Sequence, residues 1–195
     1  GMGRSGTTMI ARLMQALTIH IGESVHPQTA EDKVLLRALK DGGPERLAPI
    51  AQARNQTHDI WGFKMPAARD FLPALEEMLR NPRFVVTFRD PMAVAVRNML
   101  AIDTEPGEAV RLAAKGMHKL AMAVQSIRSP VLLVSYEKAL QYPVETAATL
   151  AAFCGIEKSL DECRQIADAC IRNGDAAYLH ATDEDAAPRE AAAVA

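Results

Sequence analysis

Residues 1–8 read Gly1-Met2-Gly3-Arg4-Ser5-Gly6-Thr7-Thr8 and run directly into MIARLMQAL, residues 9–17. In that second stretch Ile10, Leu13, Met14 and Leu17 recur at helical spacing, so the octet is a glycine-rich loop feeding a helix. Glycines let successive backbone amides turn toward one point, and the N-terminus of a helix adds a favourable field for negative charge. The octet therefore reads as an anion cradle, with Gly3, Arg4, Ser5, Gly6, Thr7 and Thr8 as the candidate contacts. An ordinary loop that merely begins a helix is the competing reading of these eight residues taken alone.

The octet has the length of a Walker A loop. In a nucleotide triphosphatase the residue after the last glycine is a Lys that reaches the β and γ phosphates, whereas here Thr7 holds that position and the basic residue is Arg4. A guanidinium at Arg4 can still neutralise a terminal phosphate or sulfate bidentately, and the missing Lys argues against ordinary ATP hydrolysis.

Farther along, helical patterns cover 31–39 and 44–54, separated by Asp41-Gly42-Gly43-Pro44. IWGFK, 60–64, is a short strand candidate, and 71–79 patterns as an amphipathic helix ending before Asn81-Pro82. FVVTF, 84–88, and VLLVS, 131–135, are apolar on both faces, as parallel strands covered by helices should be. Asp90 can cap a helix whose first position suits Pro91. Further helices are expected over 108–126, 143–154 and 158–172, with Gly155 stopping the second of these. Strands separated by helices imply a mostly parallel α/β sheet, whose ligands lie beyond the carboxyl ends of its strands. One domain over 1–182 is expected, followed by a frayed Ala and acidic tail, 183–195.

At 195 residues and 49% apolar content, the chain can bury a core without disulfides or metals. A net charge of −2 gives no general basic bias, so nucleic acid is not expected as a partner and any anion site must be local. Cys154, Cys163 and Cys170 lack CxxC spacing and read as reduced thiols. His20, His58, His118 and His180 show no metal-like spacing, and no metal is expected. Neither a membrane span nor a signal peptide is evident, which points to a soluble, cytoplasmic protein.

Arg89-Asp90-Pro91 follows strand 84–88, so Arg89 stands at the carboxyl edge of the sheet, where ligands bind. The loop and this tripeptide together resemble the sulfotransferase family, which carries a Gly-x-x-Arg/Lys-Ser-Gly-Thr-Thr loop and, later, a strand ending in Arg-Asp-Pro. Trp61-Gly62-Phe63-Lys64-x-Pro66 is similar to that family's Trp-Gly-x-Lys-x-Pro stretch, and VSYEKALQYPVETAATLAAFCGI, 134–156, to its Tyr-Glu-x-Leu segment. The resemblance spans about 1–156 and implies a P-loop three-layer α/β/α fold.

It also implies the chemistry. Residues 3–8 would hold the 5′ phosphosulfate of 3′-phosphoadenylyl sulfate (PAPS), Arg4 would stabilise charge during transfer, and Arg89 would contact the 3′ phosphate. The product would be adenosine 3′,5′-bisphosphate, and the acceptor an unidentified hydroxyl or amine. A Glu or His after the first helix commonly serves as base; Glu23, His26, Glu31 and Asp32 lie there, and Glu31 is favoured because the Glu-Asp pair opens a helix. Lys64 could meet donor or acceptor, or form an ion pair. Tyr136 and Glu137 read as structural.

Two departures stand out. Arg97 replaces a usual Ser, either binding the 3′ phosphate more strongly or facing solvent on its helix. The apolar strand that relatives carry before the loop is not in this sequence, which suggests a truncated start or a lost element; neighbouring strands would then expose unpaired edges unless another chain or segment fills the slot. The alternatives carried forward are a non-catalytic nucleotide-binding relative and, from the same fold, a small-molecule kinase. A homodimer is compatible with the sequence.

Overall fold

The loop does feed a helix: α1 spans Thr7–Ala16 in the computed structural model of the chain, which describes residues 1–171. His180 and the tail 183–195 lie outside the described residues. Helix α2, Lys33–Gly42, starts where the Asp32 carboxylate accepts from the amides of Val34 and Leu35, and it ends at Gly43, whose φ of 71° favours glycine. A short 3₁₀ turn, Pro44–Leu47, leads into α3, Ala48–Thr57. A second, Pro66–Phe71, leads into α4, Leu72–Met78.

Strand β1 is Phe84–Phe88 and strand β2 is Val131–Ser135, both at the bounds the apolar runs indicate. Between them lie α5, Pro91–Ile102, capped by Asp90 onto Met92, and α6, Pro106–Gln125, capped by Glu105. After β2 come α7, Tyr136–Gln141, α8, Pro143–Cys154, and α9, Leu160–Cys170. Gly155 ends α8 with φ 76°, as expected of a glycine stop. The expected helix 158–172 starts later, at Leu160, and residue 172 lies outside the described residues.

Three further expectations need correction. The break expected at 41–44 begins only at Gly43, because α2 continues through Asp41 and Gly42. The run 60–64 forms no strand; Trp61 makes only a single parallel bridge to His20, because no neighbouring strand lies alongside to extend the ladder. Helix α7 was not expected at all; the Ser135 hydroxyl accepts from the Lys138 amide and starts a helix immediately at the strand end.

The sheet of the described residues has two strands, β1 and β2, paired in parallel with Phe84 opposite Val131 and Phe88 opposite Ser135. The chain is thus α/β with a small parallel sheet. Val85, Leu132 and Val134 pack into a cluster with Ile10, Leu13, Leu150, Cys163 and Ala167, from α1, α8 and α9. Phe84, Val86, Phe88 and Val131 pack with Val94, Ala113 and Leu120, from α5 and α6. A third cluster joins Leu35, Leu47, Leu72 and Leu75 to Trp61 and Phe63.

Phe84 donates to the Pro130 carbonyl across the pair. In a parallel ladder alternate residues bond to the same neighbour, so Val85 and Thr87 turn their backbone groups away from β2. That outer edge of β1 carries no further strand among the described residues. Nor is any helix there long and apolar enough to cross a membrane.

Candidate functional site

The site begins at the loop. Gly6 is the N-cap of α1 with φ 86°, and a Cβ built there would lie 2.3 Å from the Tyr136 ring, so both conformation and contact demand glycine. Arg4 also has positive φ, 68°, which turns the loop back on itself. Ser5 is buried: its hydroxyl donates to the Met2 carbonyl at 2.7 Å and lies 2.9 Å from the Thr87 hydroxyl on β1. The first contact closes the loop on itself and the second moors it to the sheet.

No side chain caps α1, and its first turn has no acidic residue. Helices α2, α5, α6, α7 and α9 are closed by side-chain caps, and α3, α4 and α8 begin with a Pro at their first or second position. The first-turn amides of α1 are thus available to an anion that would also meet the positive end of the helix dipole.

The register of the sheet brings the second half of the site to the loop. Carried one residue past Phe88 and Ser135, the register sets Arg89 opposite Tyr136, and one residue further it sets Asp90 opposite Glu137. The Arg89 guanidinium lies 4.6 Å from the centre of the Tyr136 ring, and the Asp90 amide donates to Glu137 Oε1 at 3.0 Å. Arg89 Nη1 donates to the Arg4 carbonyl at 3.0 Å, while its buried Nε has no hydrogen-bond partner among the described residues. Arg97, on α5, is buried at 8% exposure and does not face solvent.

Of the four candidate bases, three have structural engagements. Asp32 is fully buried, capping α2 with one oxygen while the other lies 2.6 Å from Arg54 Nη1. The His26 ring accepts from the amides of Gln28 and Thr29 and so closes its own loop. Glu23 takes a hydrogen bond from Arg54, which with lesser contributions lowers its pKa to about 2. Glu31 instead pairs with the other candidate, Lys64, at 2.9 Å, both being largely buried. Thr8 Oγ1 donates to the Thr29 carbonyl at 3.1 Å, so the segment carrying Glu31 is tied to the start of α1.

A cleft of 480 Å³ opens between the outer edge of β1 and the 59–65 segment, and Gly1, Thr7 and Lys64 all line it. Its walls are apolar, from Ile10, Trp61, Phe63, Leu72 and Phe84, but Arg69, Arg80 and Arg83 also border it and Asp59 is its one acidic side chain. Such a cleft suits an apolar body bearing negative charge.

Sequence reasoning missed Arg69 and gave Tyr136 no part in the site. The identical spacing from strand start to Arg89 and to Tyr136 held the signal for the latter; nothing local distinguishes Arg69 from a surface arginine.

Comparison with known families bears on this arrangement. A model for the Sulfotransferase family matches residues 37–162, a span that contains Lys64, Arg89, Arg97 and Tyr136 and leaves the loop and Glu31 outside it. No curated protein and no solved structure matches the chain.

Proposed function

Because the chain belongs to the sulfotransferase family, we propose that it transfers a sulfuryl group from PAPS to a hydroxyl or amine acceptor. The observation that carries this reading is the meeting of Arg89 with the loop ahead of an uncapped helix, with Glu31 and Lys64 tethered beside it. In this reading the amides of Gly6, Thr7 and Thr8 and the Arg4 guanidinium take the 5′ phosphosulfate. The unfilled donor of Arg89 serves the 3′ phosphate, and Arg97 adds positive charge from α5.

The chemistry is an in-line displacement. A lone pair on the acceptor oxygen or nitrogen attacks sulfur, the bond from sulfur to the 5′-phosphate oxygen breaks, and its electron pair leaves on adenosine 3′,5′-bisphosphate. The acceptor proton passes to Glu31, which Lys64 holds in place. Arg4 and the positive end of α1 stabilise charge developing on the departing oxygen. The cleft beside Lys64 would receive the acceptor, and its apolar walls and basic rim favour an amphiphilic anion.

Calorimetric titration with adenosine 3′,5′-bisphosphate, beside ATP with magnesium, tests the reading. Clear preference for the bisphosphate is expected. Preference for ATP would replace the reading with the small-molecule kinase, and tight bisphosphate binding with no transfer to any acceptor would leave a non-catalytic nucleotide-binding relative.

A further inference from the structure

We infer that His20, His58 and Glu23 form a binding site for one zinc-class divalent cation, beside the 59–65 segment and separate from the nucleotide machinery. His58 is remote in sequence from the His20 and Glu23 pair, which is why spacing alone gave no sign of the cluster. The fold brings one donor atom from each to within 4.8 Å of the others. The two imidazole rings stack at 4.0 Å between centroids, and His20 Nε2 lies 3.3 Å from Glu23 Oε1.

Two imidazole nitrogens and one carboxylate oxygen are the donors a borderline cation such as Zn²⁺ prefers, whereas Mg²⁺ and Ca²⁺ call for oxygen-rich sites. Support for the ligands is already built. Arg54, buried at 3% exposure, holds the other oxygen of Glu23 and is itself fixed by Asp32 and by the Trp61 ring 5.4 Å away. An outer partner of this kind leaves Oε1 pointed at the histidines. Tetrahedral zinc with bonds of ~2.1 Å asks its ligands to stand about 3.4 Å apart; His20 Nε2 and Glu23 Oε1 already stand 3.3 Å apart, so the cation chiefly draws His58 inward and turns the rings out of their stack. A fourth position remains for water or a ligand.

The site joins two pieces of chain. His20 follows α1 and accepts the Gly62 amide on its carbonyl, while His58 ends α3 and precedes the 59–65 segment that carries Lys64. A bound cation therefore ties the start of the 59–65 segment to the chain that follows α1.

The test uses the full chain without an affinity tag. Zinc titration by calorimetry should give one site; Co²⁺ in its place should show visible d–d absorption with no intense thiolate charge-transfer band. His20→Phe keeps an aromatic ring against His58 but removes a ligand, and should weaken zinc at least about tenfold, as should His58→Ala. Saturating zinc should raise the Tm of the parent chain and leave that of His20→Phe unmoved. His118→Ala, on the exposed side of α6, should leave affinity unchanged. Equal zinc affinity in the parent and in His20→Phe, or a cobalt spectrum carrying the thiolate band, would overturn the proposal. Because none of these readouts involves nucleotide or transfer, the result stands apart from the activity proposed above.

Discussion

Arg89 donates a 3.0 Å hydrogen bond to the main-chain carbonyl of Arg4, so the end of β1 is fastened to the middle of the loop. The same guanidinium lies over the Tyr136 ring, and that ring abuts Gly6. Loop shape, strand end and helix start are therefore one unit.

Arg89→Ala should weaken adenosine 3′,5′-bisphosphate by about tenfold to a hundredfold, since charged hydrogen bonds contribute about 1.5–3 kcal/mol. Arg89→Lys keeps the charge but cannot hold the Arg4 carbonyl and an anion with one planar fork, and should recover only part of the loss. Arg4→Ala should show a comparable defect by the same titration. Unchanged affinity in both alanine variants would remove the site assignment.

Gly6→Ala should destabilise the fold and abolish nucleotide binding, because the new Cβ meets Tyr136 at 2.3 Å and the backbone is left-handed. The backbone part alone costs about 1–2 kcal/mol. Adding Tyr136→Ala should relieve the clash and leave the backbone cost, which urea denaturation of single and double variants can resolve. Tyr136→Phe retains the ring under Arg89 and should behave nearly as the parent.

Glu31→Gln should lower the transfer rate by about 10²–10⁴ if Glu31 is the base, with nucleotide affinity essentially unchanged. Lys64→Met should slow transfer as well, by releasing Glu31 from its 2.9 Å partner. Steady-state kinetics beside calorimetry separate the two effects; a loss confined to binding would count against the assignment.

Asp32→Ala should cost about 3–5 kcal/mol or prevent folding, since it removes the partner of buried Arg54 and the cap of α2 together. Asp32→Asn keeps an oxygen for the Val34 and Leu35 amides and should be milder. Thermal unfolding of the two variants gives the order.

Glu162 illustrates the pH dependence. Lys158, followed by the amide and hydroxyl of Ser159, lowers its pKa from 4.5 to about 2. A carboxylate with a depressed folded pKa contributes stability that is present above its unfolded pKa and lost as pH falls toward the folded one. The stability difference between the parent and Glu162→Gln should therefore be constant above about pH 5 and shrink between pH 4.5 and 2.

The strands were legible because VVTF and VLLV are apolar on both faces, a pattern few helices of that length share. The helix start at Asp90 was legible from cap chemistry, which acts over three residues, whereas Asp32 read as a candidate base and its capping of α2 emerges only in the fold. The failure at 60–64 has the opposite cause: Trp61 to Lys64 have strand composition, but a strand needs a neighbour, and only His20 comes alongside. Arg4, Arg89 and the loop could be recognised from motif and position. Their connection through Tyr136, and the Thr8 to Thr29 link that brings Glu31 near, depend on register and on loop packing, which no window of sequence contains.

The bond from Arg89 to Arg4 spans 85 positions of chain, and Tyr136 lies farther still. On a ribosome the loop would emerge well before both strands, on whose pairing its final shape depends. The loop can therefore offer its nucleotide cradle only after Tyr136 has been made, and a ligand gives earlier folding intermediates no help.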